Sequence, residues 1–163
     1  MVIEGGDQGL CAWALEGIES GGGIDGLATH RVTDGPRAEA VAHSNGVIAI
    51  DHVVVTSPDT ARTAKALRAV GLEPRLTREH GAMRQTFFRL GPVILELVGP
   101  PQASGSGPAR FWGIAFTVDD LDAIAARLGA DLGDVKTAVQ PGRRIASLRR
   151  EAGLSLPIAF MSQ

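Results

Sequence analysis

Two residues of this chain can do chemistry together, and both sit inside a pattern that occurs twice. His52 lies in Ile50-Asp51-His52-Val53-Val54-Val55-Thr56, and Glu96 lies in Val93-Ile94-Leu95-Glu96-Leu97-Val98. A neutral imidazole and a carboxylate on neighbouring, inward-facing strand positions can ligate a borderline divalent ion. With open coordination positions, that ion would polarise a substrate carbonyl or steady an enediolate as a Lewis acid. The other reading is a hydrogen-bonded pair inside a cleft, the usual fate of half-buried polar side chains.

The second occurrence of the pattern has lost these donors. Phe111-Trp112-Gly113-Ile114-Ala115-Phe116-Thr117-Val118-Asp119-Asp120 answers to residues 50–59, and it sets Gly113 against His52. Leu156-Pro157-Ile158-Ala159-Phe160-Met161 answers to residues 93–98, and it sets Ala159 against Glu96. Known catalytic zinc sites use about three protein ligands. Two donors therefore favour the hydrogen-bonded pair unless His30, His43, Gln85 or Gln140 supplies a further ligand.

Positioning these residues requires strands. Residues 47–56 form a nearly unbroken β-branched and apolar run, which predicts a buried strand. Ser57-Pro58-Asp59 predicts a helix start, with Ser57 as N-cap and Pro58 at the first helical position. Ala61, Ala64, Leu67 and Val70 mark its inner face, and Gly71 ends it. Strands are predicted over 72–78, 83–90 and 93–98, with Leu90-Gly91-Pro92 as a tight hairpin. After a Gly/Ser linker at 102–108 the order repeats: a strand over 111–118, then a helix capped by Asp119. That helix has Leu121, Ile124, Ala125 and Leu128 inward and ends at Gly129. Strands over 134–139, 143–150 and 156–161 complete the repeat. The reading is an α+β chain of two βαβββ units, residues 47–101 and 109–163. Each unit needs the other to bury its apolar face. Residues 1–46 form a glycine-rich N-terminal extension, with short strands near 10–15 and 24–32 and a connector over 34–45.

Composition narrows the function classes. The net charge of −2 provides no field for nucleic acid or a membrane surface, and the arginines at 84, 89, 143, 144, 149 and 150 lie on predicted strands, where such clusters line solvent or pair with carboxylates. Alternation allows only one of Arg143 and Arg144 to point inward. Cys11 is the sole cysteine, which suits a reducing, cytoplasmic setting, and no signal or membrane segment is read at the start. With no tyrosine, phenol chemistry is excluded.

The duplicated frame, with Ile50-Asp51-His52-Val53 opening one half and Phe116-Thr117-Val118-Asp119-Asp120-Leu121-Asp122 the other, resembles the vicinal oxygen chelate superfamily. This is the group of glyoxalase I, bleomycin-resistance proteins, methylmalonyl-CoA epimerase and extradiol dioxygenases. The resemblance spans residues 47–163. It implies a strongly curved mixed sheet around a cleft, with the helices outside. It also implies one metal ligand on the first and last strand of each unit. Those positions are His52 and Glu96 in one half and Gly113 and Ala159 in the other, so the set is incomplete.

The expectation that follows is a divergent domain binding a small organic molecule in its cleft, with Arg84, Gln85, Trp112 and Met161 as ligand contacts. No cofactor is firmly implied; the open option is one divalent ion, Zn, Ni, Fe or Mn, on His52 and Glu96. Two alternatives stand beside it: a metal-dependent lyase, isomerase or epimerase using that pair, and a noncatalytic interaction domain. In the latter, residues 1–46 would serve dimer contact or cover the cleft. A homodimer is the implied assembly.

Overall fold

A computed structural model of the chain describes residues 1–7, 9–18, 22–32 and 43–163. Most of the connector expected over 34–45 lies outside the described residues.

The main sheet has eight strands. Unit one supplies β4 (Val47–Thr56), β5 (Pro74–His80), β6 (Met83–Leu90) and β7 (Val93–Gly99), after three strands of the extension. Unit two supplies β8 (Arg110–Val118), β9 (Lys136–Thr137), β10 (Arg144–Ser147) and β11 (Ile158–Met161). The order across the sheet is β5-β6-β7-β4-β8-β11-β10-β9. The first strands of the two units, β4 and β8, pair antiparallel at its centre. Each is flanked by the last strand of its own unit in parallel, β7 beside β4 and β11 beside β8. The two halves thus meet about a pseudo-twofold, as the repeat requires.

One face of the sheet carries the core. Val53, Val55, Leu95 and Leu97 pack with Ala64 and Leu67 of α1 (Thr60–Ala69). In the other half, Val118 and Phe160 pack with Leu121 and Ile124 of α2 (Leu121–Leu128). The alternate residues of the same strands, His52, Ile94 and Glu96 among them, face the other way, as the period of two demands.

Both helices begin later than the sequence suggests. Asp59 is the N-cap of α1 and accepts from the Arg62 amide at 2.9 Å. Ser57 caps the turn before it, accepting from the Asp59 amide at 3.0 Å. A start at Thr60 rotates the inner stripe, so Thr60, Thr63, Ala64 and Leu67 are buried and Ala61 is exposed. In α2 the cap is Asp120, which accepts from the Asp122 and Ala123 amides at 2.9 Å each, and not Asp119. Two consecutive aspartates offer two caps, and the one with two amides in reach prevails.

The strands of unit two are shorter than expected. Lys136–Thr137, Arg144–Ser147 and Ile158–Met161 replace 134–139, 143–150 and 156–161. The backbone beyond Leu148 turns instead of pairing: the Ala152 amide donates to the Arg149 carbonyl, and Gly153 takes a positive φ of 81°. Pro157 offers no amide to extend β11 toward its N-terminus.

The extension forms a separate three-stranded sheet of β1 (Val2–Gly6), β2 (Gly9–Leu15) and β3 (Ala28–Arg31). It lies on the core side. Trp13 is fully buried, donates to Thr29 Oγ1 at 2.7 Å and meets Phe111 edge-on at 5.2 Å. Asp25 accepts from Arg62 Nε of α1 at 2.8 Å, and the Thr63 hydroxyl also donates to it. No helix among the described residues is long and apolar enough to cross a membrane.

Candidate functional site

A single extra residue in β4 shapes the site. Ile50 pairs with Phe116 and His52 with Ala115, so Asp51 is a β-bulge with no partner of its own. In a regular strand Asp51 and His52 would face opposite sides. The bulge turns both side chains toward the side away from the core, the re-aiming such irregularities produce. Asp51 Oδ2 then sits 2.8 Å from His52 Nδ1. Arg143 Nη1 donates to Asp51 Oδ1 at 2.6 Å, and the Thr117 hydroxyl lies 3.4 Å from the same oxygen.

Burial pushes the Asp51 carboxyl up. The hydrogen bonds from His52 and Arg143, with the charges behind them, outweigh that and hold it below the usual aspartate range. An ionised carboxylate can only accept, so Nδ1 carries a hydrogen toward Asp51, and in the neutral form of the ring Nε2 keeps its lone pair. Nε2 faces Glu96, whose Oε2 is 3.8 Å away. The gap exceeds a hydrogen bond, leaving room for one bridging atom. Gln85 Nε2 donates to the other Glu96 oxygen at 2.7 Å. Desolvation raises the Glu96 carboxyl above the usual glutamate range, although the charge of His52 and the Gln85 hydrogen bond pull against it. A chain of five side chains, Arg143, Asp51, His52, Glu96 and Gln85, therefore crosses the floor of the cup.

Above this floor opens a cavity of about 710 Å³. His52, Glu96 and Gln85 line it together with Phe87, Ile94, Ile145 and Met161. Unit two contributes the segment 137–141 as the opposite wall.

The structure sorts the residues singled out in the sequence. His52, Glu96, Gln85 and Met161 share the cavity. Arg84 and Trp112 do not line it. Arg84 precedes Gln85 on the same strand and so faces outward, bound to Glu79 through Nε at 2.9 Å and Nη2 at 2.7 Å. Trp112 is 52% exposed on the strand next to Gly113. Of the two adjacent arginines, Arg143 turns in to Asp51 while Arg144 turns out to Asp122 at 2.9 Å. Gln140 reaches the cavity; His30 and His43 do not line it. Asp51 and the role of Arg143 were not visible in the sequence. The adjacent Asp51-His52 pair was the only signal, and it becomes legible only once the bulge is known.

The register keeps Gly113 as the unit-two counterpart of His52: Val54 pairs with Glu96 as Ala115 pairs with Ala159, and His52 and Gly113 each lie two residues before those positions. The residue opposite His52 is Ala115, and Gly113 lies opposite Val54. A Cβ at Gly113 would come 2.9 Å from the Pro157 carbonyl oxygen, so the backbone packs closely at this position. Ala159 stands beside Ala115, giving one cross-strand row of His52, Ala115 and Ala159.

His52 and Glu96 fall one donor short of a typical resident metal site, and Gln85 beside them turns its nitrogen to Glu96. Among the described residues no third His, Cys, Asp or Glu joins His52 and Glu96. The row opposite them consists of methyl groups.

Residues 51–146, more than half of the chain, match the family model of the Glyoxalase/Bleomycin resistance protein/Dioxygenase superfamily. The chain belongs to this superfamily. Its fold is shared with methylmalonyl-CoA epimerase from Mycobacterium tuberculosis (TM-score 0.60, 16% identity, covering 75% of this chain and 92% of that one). A variant of the Streptomyces coelicolor methylmalonyl-CoA epimerase in complex with 2-nitronate-propionyl-CoA aligns with a TM-score of 0.57 and 22% identity, over 72% and 98% of the two chains. A hypothetical protein from Bacillus halodurans aligns with a TM-score of 0.54 and 13% identity, over 70% and 93%. No curated protein matches the chain at a significant level. At these identities the structural likeness speaks to the fold.

Proposed function

We propose that this chain is a small-molecule-binding member of the superfamily whose cleft works without a resident metal ion. Divalent ions are typical of the superfamily. Here the paired donors, His52 Nε2 and Glu96 Oε2 at 3.8 Å, stand alone among the described residues. That pair at the base of the cavity carries the reading. Nε2 offers a lone pair, and the raised Glu96 carboxyl offers a hydrogen when protonated. A ligand hydroxyl bridging them would donate to Nε2 and accept from the protonated Glu96 carboxyl. Asp51 keeps the imidazole in the tautomer this requires, and the apolar side chains of Phe87, Ile94, Ile145 and Met161 hold the organic body. The expected assembly is a homodimer, to be read by light scattering on the purified protein.

The test has two measurements. Phenylnaphthylamine, an uncharged apolar fluorophore, should bind at one site per chain. Ile145→Trp, which fills the cavity, should abolish that binding. Metal analysis of protein purified without chelator should give well under one equivalent. A full equivalent of Zn, Ni, Fe or Mn that disappears in His52→Ala would overturn the metal-free reading.

A further inference from the structure

Several arginines are held by carboxylates, and of the described arginines that are not, Arg31, Arg110, Arg127 and Arg150 do not line the cavity. Arg62 meets Asp25, Arg84 meets Glu79, Arg143 meets Asp51 and Arg144 meets Asp122. Three others, Arg75, Arg78 and Arg89, line the cavity, and none has a carboxylate partner within 4.0 Å among the described residues. Among the described residues the only carboxylate in the wall is Glu96, already held by Gln85. Like charges lining one cavity repel each other, and an anion in reach of their planar forks relieves that repulsion.

The register locates these groups. Arg89 pairs with Ile94, and Ile94 with His52, so Arg89 stands two strand spacings, about 10 Å, from the imidazole strand. Arg78 pairs with Gln85 on the edge strand, three spacings or about 14 Å away. Phe87 and Ile94 line the space between. At the mouth two large apolar side chains lie open from opposite edges of the sheet, Leu76 at 44% and Val139 at 72% exposure.

We infer that the ligand is an amphipathic acid. Its carboxylate, sulfonate or phosphate is held by Arg75, Arg78 and Arg89, and its apolar body spans Leu76, Phe87 and Val139 toward His52 and Glu96. This rests on the cavity being a small-molecule site, and the test separates the two. Anilinonaphthalene sulfonate carries the anion, whereas phenylnaphthylamine has a similar body without it. By fluorescence titration of the full chain, the sulfonate should bind about tenfold more tightly than the uncharged probe. The triple variant Arg75→Gln, Arg78→Gln, Arg89→Gln should weaken the sulfonate about tenfold and leave the uncharged probe within about twofold. Arg84→Gln should change neither. If the triple variant melts early, Arg89→Gln alone should weaken the sulfonate about threefold. Octanoate and octyl phosphate should displace the sulfonate while octanol does not, and the more potent of the two acids identifies the group preferred. Equal affinity for both probes, or an equal loss of both in the arginine variants, overturns the anion assignment and leaves the cavity reading standing. Failure of both probes to bind removes the cavity reading itself.

Discussion

Units one and two share a topology and differ in what they invest in it. In unit one the three outer strands run for seven, eight and seven residues; in unit two they run for two, four and four. The long strands of unit one raise polar and charged side chains into the cup: Arg78, Gln85, Arg89, Glu96 and, from the central strand, His52. Unit two answers with a row of alanines, a loop wall at 137–141, and one arginine that reaches across to hold Asp51. A duplicated fold can therefore keep its frame while dividing labour. One half carries the polar chemistry, and the other supplies walls and a single orienting charge. The two halves meet at Asp51, where a residue inserted in unit one is stabilised by Arg143 of unit two.

That division can be broken most severely at the joint. Asp51→Asn strips Arg143 of its buried carboxylate and should cost about 2–3 kcal/mol in urea denaturation at neutral pH. The sign of the pH dependence follows from the lowered Asp51 carboxyl. Its contribution is complete above the unfolded aspartate value of about 4 and fades as pH falls through the lower folded value. The gap between wild type and Asp51→Asn should therefore close in acid.

Next in size is Gly113→Ala, which places a methyl group against the Pro157 carbonyl and should cost about 1–3 kcal/mol by the same measurement. Ala159→Glu sharpens the contrast from the other direction, by adding a carboxylate to the row that faces His52. If only a third donor is missing, Co²⁺ or Zn²⁺ affinity measured by calorimetry should rise about tenfold or more over wild type. An unchanged affinity would show that the two halves differ in shape as well as in donors.

The smallest effect is expected at Glu96→Gln. Desolvation raises the Glu96 carboxyl, so the folded state favours its neutral form. That preference stabilises the fold fully below the unfolded glutamate value of about 4.3 and is lost as pH rises through the folded value. The amide variant should therefore melt above wild type at pH 8, with the difference vanishing toward pH 4.

The repeat, the two helices and the strand order of unit one were legible because they depend on apolar periodicity, which each segment carries within itself. The inward positions of His52 and Glu96 followed from the same alternation. What escaped was set by neighbours. The bulge at Asp51 exists only in register with β8, and no residue in 50–52 announces it. Without it, Asp51 reads as a strand-edge acid and Ala115 cannot be recognised as the residue facing His52. Arg84 and Gln85 were indistinguishable until the phase of β6 was fixed, and that phase sends one out to Glu79 and the other in to Glu96. The short strands of unit two failed for a related reason: their sequence tolerates pairing, but the turns at 149–153 satisfy the same amides locally.

The burial of Trp13 has a practical outcome. The chain holds two tryptophans and no tyrosine, so its ultraviolet emission has two sources. Trp13 is sealed between the amino-terminal sheet and Phe111, and Trp112 stands half in solvent one residue further along. A soluble quencher such as acrylamide will silence the outer indole and spare the inner one. Once Trp112 is replaced by phenylalanine, the remaining signal becomes a built-in reporter of whether the amino-terminal sheet is seated.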